Sequence, residues 1–315
     1  MKKSMNILVT GGNGQLALCM KDIVTIFDHE NTYNFYSKQE FDLTNKEQMY
    51  SVFDELKPDV VVNCAAYTKV DDAEDNDGMK SFLINANGVC ELTSLCRDYG
   101  TYLIQISTDY VFDGMKKKPY TETDKTHPLN QYGMTKLIGD KCVLDYNKGI
   151  VIRTSWLYSE YGNNFYKTML ERIRSERDTN VISDQFGTPT YAKDLAFFIV
   201  YELIKKRKVL EINGLYNYTN KGIASWYDFA SAIETLWQNF GPYEPMRKDP
   251  MEISFDISPY RKKFIQPIQS SEYKTKAKRP SYSVLDKSKI EKEFEIKINH
   301  WMDSLLNCMK NDKKI

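Results

Sequence analysis

A short apolar run, Asn6-Ile-Leu-Val-Thr10, ends on Gly11-Gly12-Asn13-Gly14-Gln15-Leu16-Ala17 and passes straight into a helical pattern lasting to about Asp28. Glycines 11 and 14 let the backbone turn tightly and approach a pyrophosphate, and a helix N-terminus directly behind them favours negative charge. The spacing is GxxGxxA, and such a loop alone is weak evidence. The rhythm of the next 140 residues gives it weight. Strands are expected at Tyr33–Ser37, Val60–Asn63, Tyr102–Ser107 and Ile150–Thr154, separated by helices over roughly 45–56, 78–98 and 130–146. Strands alternating with helices of that length form right-handed βαβ units on a parallel sheet, and near-continuous apolar strands are covered on both faces. The expected fold class is α/β, a Rossmann-like doubly wound parallel sheet over residues 1–154. Residues 155–315 are expected to form mainly a smaller C-terminal α/β lobe, with about 179–219 returning to the sheet. Helices are expected there at 163–177, 191–206, 225–239 and 299–311, and about 241–262 reads as a surface insertion or mobile loop.

Bulk properties exclude several classes. Lys plus Arg balances Asp plus Glu at 43 each, so no net field draws the chain to nucleic acid or an anionic membrane. Lysines at 116–118, 205–208 and 274–279 read as solvated loops and helix ends. No apolar stretch approaches the roughly 20 residues that span a bilayer, and Met1-Lys2-Lys3-Ser4 leads into a strand without a signal-peptide apolar region. The six cysteines (19, 64, 90, 96, 142, 308) form no CxxC pair and read as reduced, buried thiols of a cytoplasmic protein. His29, His127 and His300 lack metal-ligand spacing, so no metal site is expected.

The chemistry concentrates in Ser107-Thr108-Asp109-Tyr110-Val111-Phe112-Asp113-Gly114 and Gln131-Tyr132-Gly133-Met134-Thr135-Lys136. Helical i,i+4 spacing puts Tyr132 and Lys136 side by side. A free tyrosine has a pKa of about 10, and a neighbouring ammonium is expected to lower it enough for proton transfer near neutral pH. A Tyr-x-x-x-Lys pair often arises by chance on a helix surface. The upstream hydroxyl and the glycine turn set this one apart, and with a nicotinamide cofactor the set suits a carbonyl/alcohol oxidoreductase. No Gly-Lys-Ser/Thr comes after the glycines, so an ATP P-loop is excluded. Strand two ends in Ser37-Lys38 without an acidic residue; a hydroxyl and a cation suit a 2′-phosphate, so NADPH is expected. NADH stays open because Asp42 can serve the adenine side instead.

Further runs extend the pattern: Phe41-Asp42-Leu43-Thr44, Val62-Asn63-Cys64-Ala65-Ala66-Tyr67 through Glu74, Pro128-Leu129-Asn130, and Arg153-Thr154-Ser155-Trp156-Leu157-Tyr158. Beyond these lie Gly162-Asn163-Asn164-Phe165, Asp184-Gln185-Phe186-Gly187-Thr188-Pro189-Thr190 and Arg279-Pro280-Ser281-Tyr282-Ser283-Val284-Leu285-Asp286. In this order, over nearly the whole chain, they resemble the dTDP-4-dehydrorhamnose reductases, a family of extended short-chain dehydrogenases/reductases. The resemblance implies reduction of the C4 keto group of dTDP-4-dehydro-β-L-rhamnose to dTDP-L-rhamnose. It makes Thr108, Tyr132 and Lys136 the catalytic triad, with Tyr132 the proton donor and Lys136 also holding the nicotinamide ribose. It aligns Gly14, Gln15, Leu16, Asp42, Leu43, Ala65, Ala66 and Tyr67 with cofactor-contacting positions, and Asp109, Trp156, Asn164 and Arg279 with the substrate. An arginine suits a diphosphate through bidentate hydrogen bonds. Asn63 and Asn85 fit the cofactor and ordinary structural bonding equally, Trp156 fits substrate or core, and Asp184-Gln185 with Thr188-Pro189-Thr190 read as architectural.

Three departures stand out. Ala17 and Cys64 replace residues often Gly and Ala, both remaining small. Some relatives are linked to Mg²⁺ through an acidic residue early in the first helix; Leu18-Cys19-Met20 here argues against a metal-bridged dimer. The segment 241–262 is longer than usual. Two alternatives remain: a reductase of another 4-keto-6-deoxy sugar nucleotide, and a non-catalytic binding role like that of the methionine adenosyltransferase regulatory subunit, which an intact triad opposes. The partner expected is a small sugar nucleotide, and the chain is expected as a monomer or homodimer.

Overall fold

The structure is a computed structural model that describes residues 3–240 and 263–312. The expected insertion at 241–262 lies outside the described residues. The chain runs β1 (Asn6–Thr10), α1 (Gln15–Phe27), β2 (Thr32–Tyr36), α2 (Lys46–Leu56), β3 (Val60–Asn63), α3 (Gly78–Phe82), α4 (Gly88–Tyr99), β4 (Tyr102–Thr108), α5 (Gln131–Leu144) and β5 (Gly149–Thr154). It continues through β6 (Leu157–Tyr158), α6 (Phe165–Arg174), β7 (Thr179–Ile182), β8 (Phe186–Gly187), β9 (Thr190–Tyr191), α7 (Ala192–Phe197) and β10 (Gly214–Asn217). Last come β11 (Ala224–Ser225), α8 (Trp226–Phe240), β12 (Ile265–Ile268), α9 (Ser288–Phe294) and α10 (Trp301–Asn311).

The main sheet has the order β10-β5-β4-β3-β1-β2, all parallel. Its strands alternate between two cores, as a sheet covered on both faces requires. Ile7, Val9, Val60, Val62, Ile104, Ile150 and Ile152 pack with α1 and α7 on one side. Leu8, Val61, Leu103 and Val151 pack with α2 and α4 on the other. The chain leaves β1 toward β2 on one side and β3 on the other, so a crevice opens beyond the C-terminal ends of β1 and β3, where doubly wound sheets bind ligands. A third core, around Tyr158, Tyr166, Phe229, Trp237 and Trp301, joins α6, α8 and α10 in the C-terminal lobe. Within 179–219, β10 lies at the sheet edge and α7 covers a face. In contrast, β7 pairs with β12, because Val181 and Ile265 bury in the lobe core.

Two departures from the sequence expectations bear on the site. The helix expected over 78–98 is interrupted by a wide π turn, Leu83–Asn87, between α3 and α4. The π turn aims Asn85 at the loop after β3: Tyr67 N donates to Asn85 Oδ1 at 2.9 Å, and Asn85 Nδ2 donates back to Tyr67 O at 2.9 Å. The cysteine expectation is also corrected. Cys90 of α4 and Cys142 of α5 form a disulfide, because the crossing of the two helices sets their Cα atoms 5.3 Å apart. Cys19, Cys64, Cys96 and Cys308 are free thiols, and the argument from reduced thiols to the cytoplasm falls away.

Candidate active site

The glycine turn after β1 is shaped for close approach. Gly11 has φ +63°, and a Cβ there would stand 2.9 Å from Ala65 N, so only glycine fits against the loop after β3. Gly14 takes the N-cap position of α1, its N–H bonded to Gly11 O at 2.7 Å. Gly12, which the sequence reading did not single out, passes against β2: a Cβ would lie 2.9 Å from Phe35 C. Ala65 and Ala66 leave the opposite wall low, and the α1 N-terminus faces the gap, so the cradle fits a dinucleotide's pyrophosphate. Thr10 and Asn63 brace it from below. Thr10 Oγ1 donates to Asn63 Oδ1 at 2.6 Å, and Asn63 Nδ2 donates to Gln105 Oε1 at 2.7 Å. Asn63 and Asn85 are thus structural bonders that hold the crevice walls.

The other proposed cofactor residues divide by environment. The Leu16 and Leu43 side chains are committed to the two cores flanking the sheet. Gln15 leaves the turn for the lobe: its Nε2 donates to Leu157 O at 3.2 Å, and its Oε1 accepts from Ser159 Oγ and from Asn164 Nδ2. Asn164 also caps α6 by accepting from Lys167 N at 3.1 Å, so it sits with Gln15 rather than with the triad. At the end of β2, Ser37 N donates to Glu40 Oε2 at 2.8 Å. Lys38 is exposed and lies 3.6 Å from Asp42, whose carboxylate also accepts from Thr44 N and Oγ1. Tyr67 is buried, its hydroxyl donating to Asp77 at 2.9 Å.

The triad residues converge from two elements. Thr108 ends β4, and its hydroxyl accepts from Tyr110 N at 3.2 Å while donating to Asp109 Oδ1 at 3.2 Å. Asn130 caps α5 by accepting from Gly133 N at 2.8 Å, which places Tyr132 in the first turn and Lys136 one turn deeper. The Tyr110 ring stands edge-on to the Tyr132 ring, centroids 5.9 Å apart. Burial drives the Tyr132 phenol well above the usual tyrosine range, with the Thr108 hydroxyl pulling it down and Asp109 and Asp140 pushing it further up. The expectation that the ammonium lowers it is therefore overturned. Lys136 Nζ turns away to donate to Ile106 O at 2.6 Å, and burial lowers Lys136 itself to about 8 against the pull of Asp140. A phenol held protonated is the form that a proton donor requires.

Beneath the triad lies a buried charge cluster that sequence reasoning missed. Asp140 follows Lys136 by one turn of α5; Ser107 Oγ donates to its Oδ2 at 2.6 Å, and Arg153 Nε stands 3.6 Å from the same oxygen. The signal was there to read, since Arg153 interrupts a fully buried strand and Asp140 lies at i+4 from Lys136. Asp109 is 2% exposed, and burial pushes its carboxyl up to about 7 against the Ser283 and Thr108 hydroxyls.

Trp156 and Arg279, like Asn164, lie on C-terminal segments. Trp156 has a left-handed backbone, φ +47°, and stacks on Trp226 with ring centroids 3.6 Å apart. Gly187 makes room for it, since a Cβ there would come within 2.5 Å of the indole. Arg279 Nη2 donates to Asp71 Oδ2 at 2.6 Å, and Nη1 donates to Asp71 Oδ1 at 3.2 Å and to Ala277 O at 3.1 Å. Tyr110 lies beside Arg279, and burial pushes its phenol up against the downward pull of the guanidinium. The structure thus links Arg279, Tyr110 and Tyr132, with Thr108 and Asp109 behind them; Tyr110 was not among the predicted site residues.

The family model for the RmlD substrate binding domain matches residues 5–314. The chain is 36% identical over 308 residues to the dTDP-4-dehydrorhamnose reductase of Aggregatibacter actinomycetemcomitans, covering 96% of this chain and 97% of that one. It also resembles the crystal structure of dTDP-4-dehydrorhamnose reductase from Bacillus anthracis in complex with NADP, at TM-score 0.83 and 30% identity, covering 98% and 99% of the two chains. The corresponding structure from Clostridium acetobutylicum gives TM-score 0.82 and 36% identity over 97% and 99%.

Proposed function

The chain belongs to the RmlD substrate binding domain family, and from that membership we propose that it reduces the C4 keto group of dTDP-4-dehydro-β-L-rhamnose to dTDP-L-rhamnose. It is an oxidoreductase using a nicotinamide cofactor. NADPH is the form we assign, on Ser37 and Lys38 at the end of β2 and on the NADP in the Bacillus anthracis relative. The observation that carries the reading is Tyr132, which the cap of α5 sets beside Thr108 at the end of β4, a phenol kept protonated by burial.

When bound, the nicotinamide supplies the hydride to C4. Tyr132 donates its proton to the C4 oxygen as charge builds there, and Thr108 hydrogen-bonds the same oxygen. Lys136 holds the nicotinamide ribose, with Asp140 beside it favouring the ammonium. Gly11, Gly14, Ala65 and Ala66 let the dinucleotide lie close to the backbone. Asp109 and Trp156 border the sugar, and Arg279 binds the diphosphate. Gln15 and Asn164 join the two lobes across the cleft.

The test tracks NADPH absorbance while dTDP-4-dehydro-L-rhamnose is generated in situ. Turnover with dTDP-L-rhamnose as product is the result expected, with kcat/KM higher for NADPH than for NADH. No oxidation with this sugar, or a clear preference for NADH, contradicts the corresponding part of the assignment.

A further inference from the structure

The fork of Arg279 is already engaged. Both Nη atoms bond the Asp71 carboxylate, and Ala277 N donates to Asp71 Oδ1 at 3.0 Å. A bidentate guanidinium joined by a backbone N–H is the donor set that recognises a phosphate as readily as a carboxylate. We propose that Asp71 occupies this anion site in the free protein as a resident stand-in for the diphosphate of the sugar nucleotide, which displaces it on binding. This rests on the reading of Arg279 as a diphosphate-binding residue.

The geometry says which partner moves. The Asp71 side chain is 39% exposed and the Arg279 side chain 19%, so the carboxylate can swing into water and rehydrate while the guanidinium stays. The segment that carries Arg279 is anchored independently of Asp71. Asn130 Nδ2, on the cap residue of α5, donates to Lys278 O at 2.8 Å, and Lys276 pairs with Asp75. The loop bearing Asp71 is pinned a few residues on, where Gln131 N donates to Glu74 Oε1 at 2.6 Å. Release of Asp71 therefore needs a side-chain rotation and leaves both backbones in place. Arg279 also neighbours Tyr110, whose ring borders Tyr132, so exchange of one anion for the other happens one aromatic ring from the proton donor.

Calorimetry of dTDP binding to the protein saturated with NADP⁺ tests this, using wild type, Asp71→Asn, Asp71→Ala and Arg279→Ala, with thymidine as a control lacking phosphate. Removing a competing carboxylate from a partly exposed pair is expected to lower the dTDP Kd by about two- to fivefold in both Asp71 variants, with thymidine unmoved. A merely structural role for Asp71 works in the opposite direction, because a disordered arginine binds more weakly. An unchanged or raised dTDP Kd in the Asp71 variants, while Arg279→Ala weakens binding, overturns displacement and leaves the Arg279 reading intact. An unchanged Kd in Arg279→Ala overturns both.

Discussion

Tyr132, Lys136 and Asp109 show how burial dominates the proton equilibria of the site. For the phenol, the ammonium and the carboxyl alike, desolvation is the largest influence and pushes each toward its neutral form. For Tyr132 the neutral form is the useful one. For Asp109 it creates a pH dependence of stability with a definite sign. Its folded pKa, about 7, lies above the ordinary carboxyl value, so the folded state holds the proton more tightly than the unfolded state. Stability from that protonated carboxyl is complete below about pH 4 and is lost as pH rises through 7. Asp109→Asn cannot ionise. Its denaturation midpoint should therefore improve relative to wild type between pH 5 and pH 8, by roughly 1–3 kcal/mol. A difference between the two proteins that stays flat with pH contradicts this assignment.

Among the elements, α5 carries the chemistry and is closely fitted to its neighbours. Gly139 faces the π turn, where a Cβ would stand 2.3 Å from Asn85 O and 3.2 Å from the Val89 side chain. Because Asn85 in turn holds Tyr67 at the crevice wall, overpacking here reaches the cofactor side of the site. Gly139→Ala should destabilise the protein by about 1–3 kcal/mol in urea titration, despite alanine's better helix propensity. A midpoint equal to or above wild type refutes the contact. This element also marks what was legible beforehand. The Tyr132/Lys136 spacing and the glycine turn are local patterns, visible in a few residues. The π turn was not, because Asn85 leaves the α-helical pattern to meet a loop 18 residues away. The Cys90–Cys142 bond depends on how α4 crosses α5 over a separation of 52 residues.

For the whole molecule, the βαβ rhythm up to Thr154 announces the parallel sheet, since each strand's apolar run records burial on both faces. Beyond Thr154 the pattern weakens because the chain serves two cores alternately, with β10 at the sheet edge and β7 in the lobe. The least legible feature is the joining of the lobes. Gln15 meets Asn164 at a separation of 149 residues, and Asp71 meets Arg279 at 208. No local spacing reports such pairs, and in the latter the charge that the sequence offered to a diphosphate is found answered from within. The same closure brings Arg279, Tyr110, Tyr132 and Thr108 into one cleft, and the function stands or falls with the phenol at its centre. The most direct measurement is NADPH oxidation with dTDP-4-dehydro-L-rhamnose generated in situ, comparing wild type with Tyr132→Phe. Loss of general acid catalysis predicts a fall in kcat of about 10²–10⁴-fold with the fold intact, and a variant that keeps the full rate would show that Tyr132 is not the proton donor.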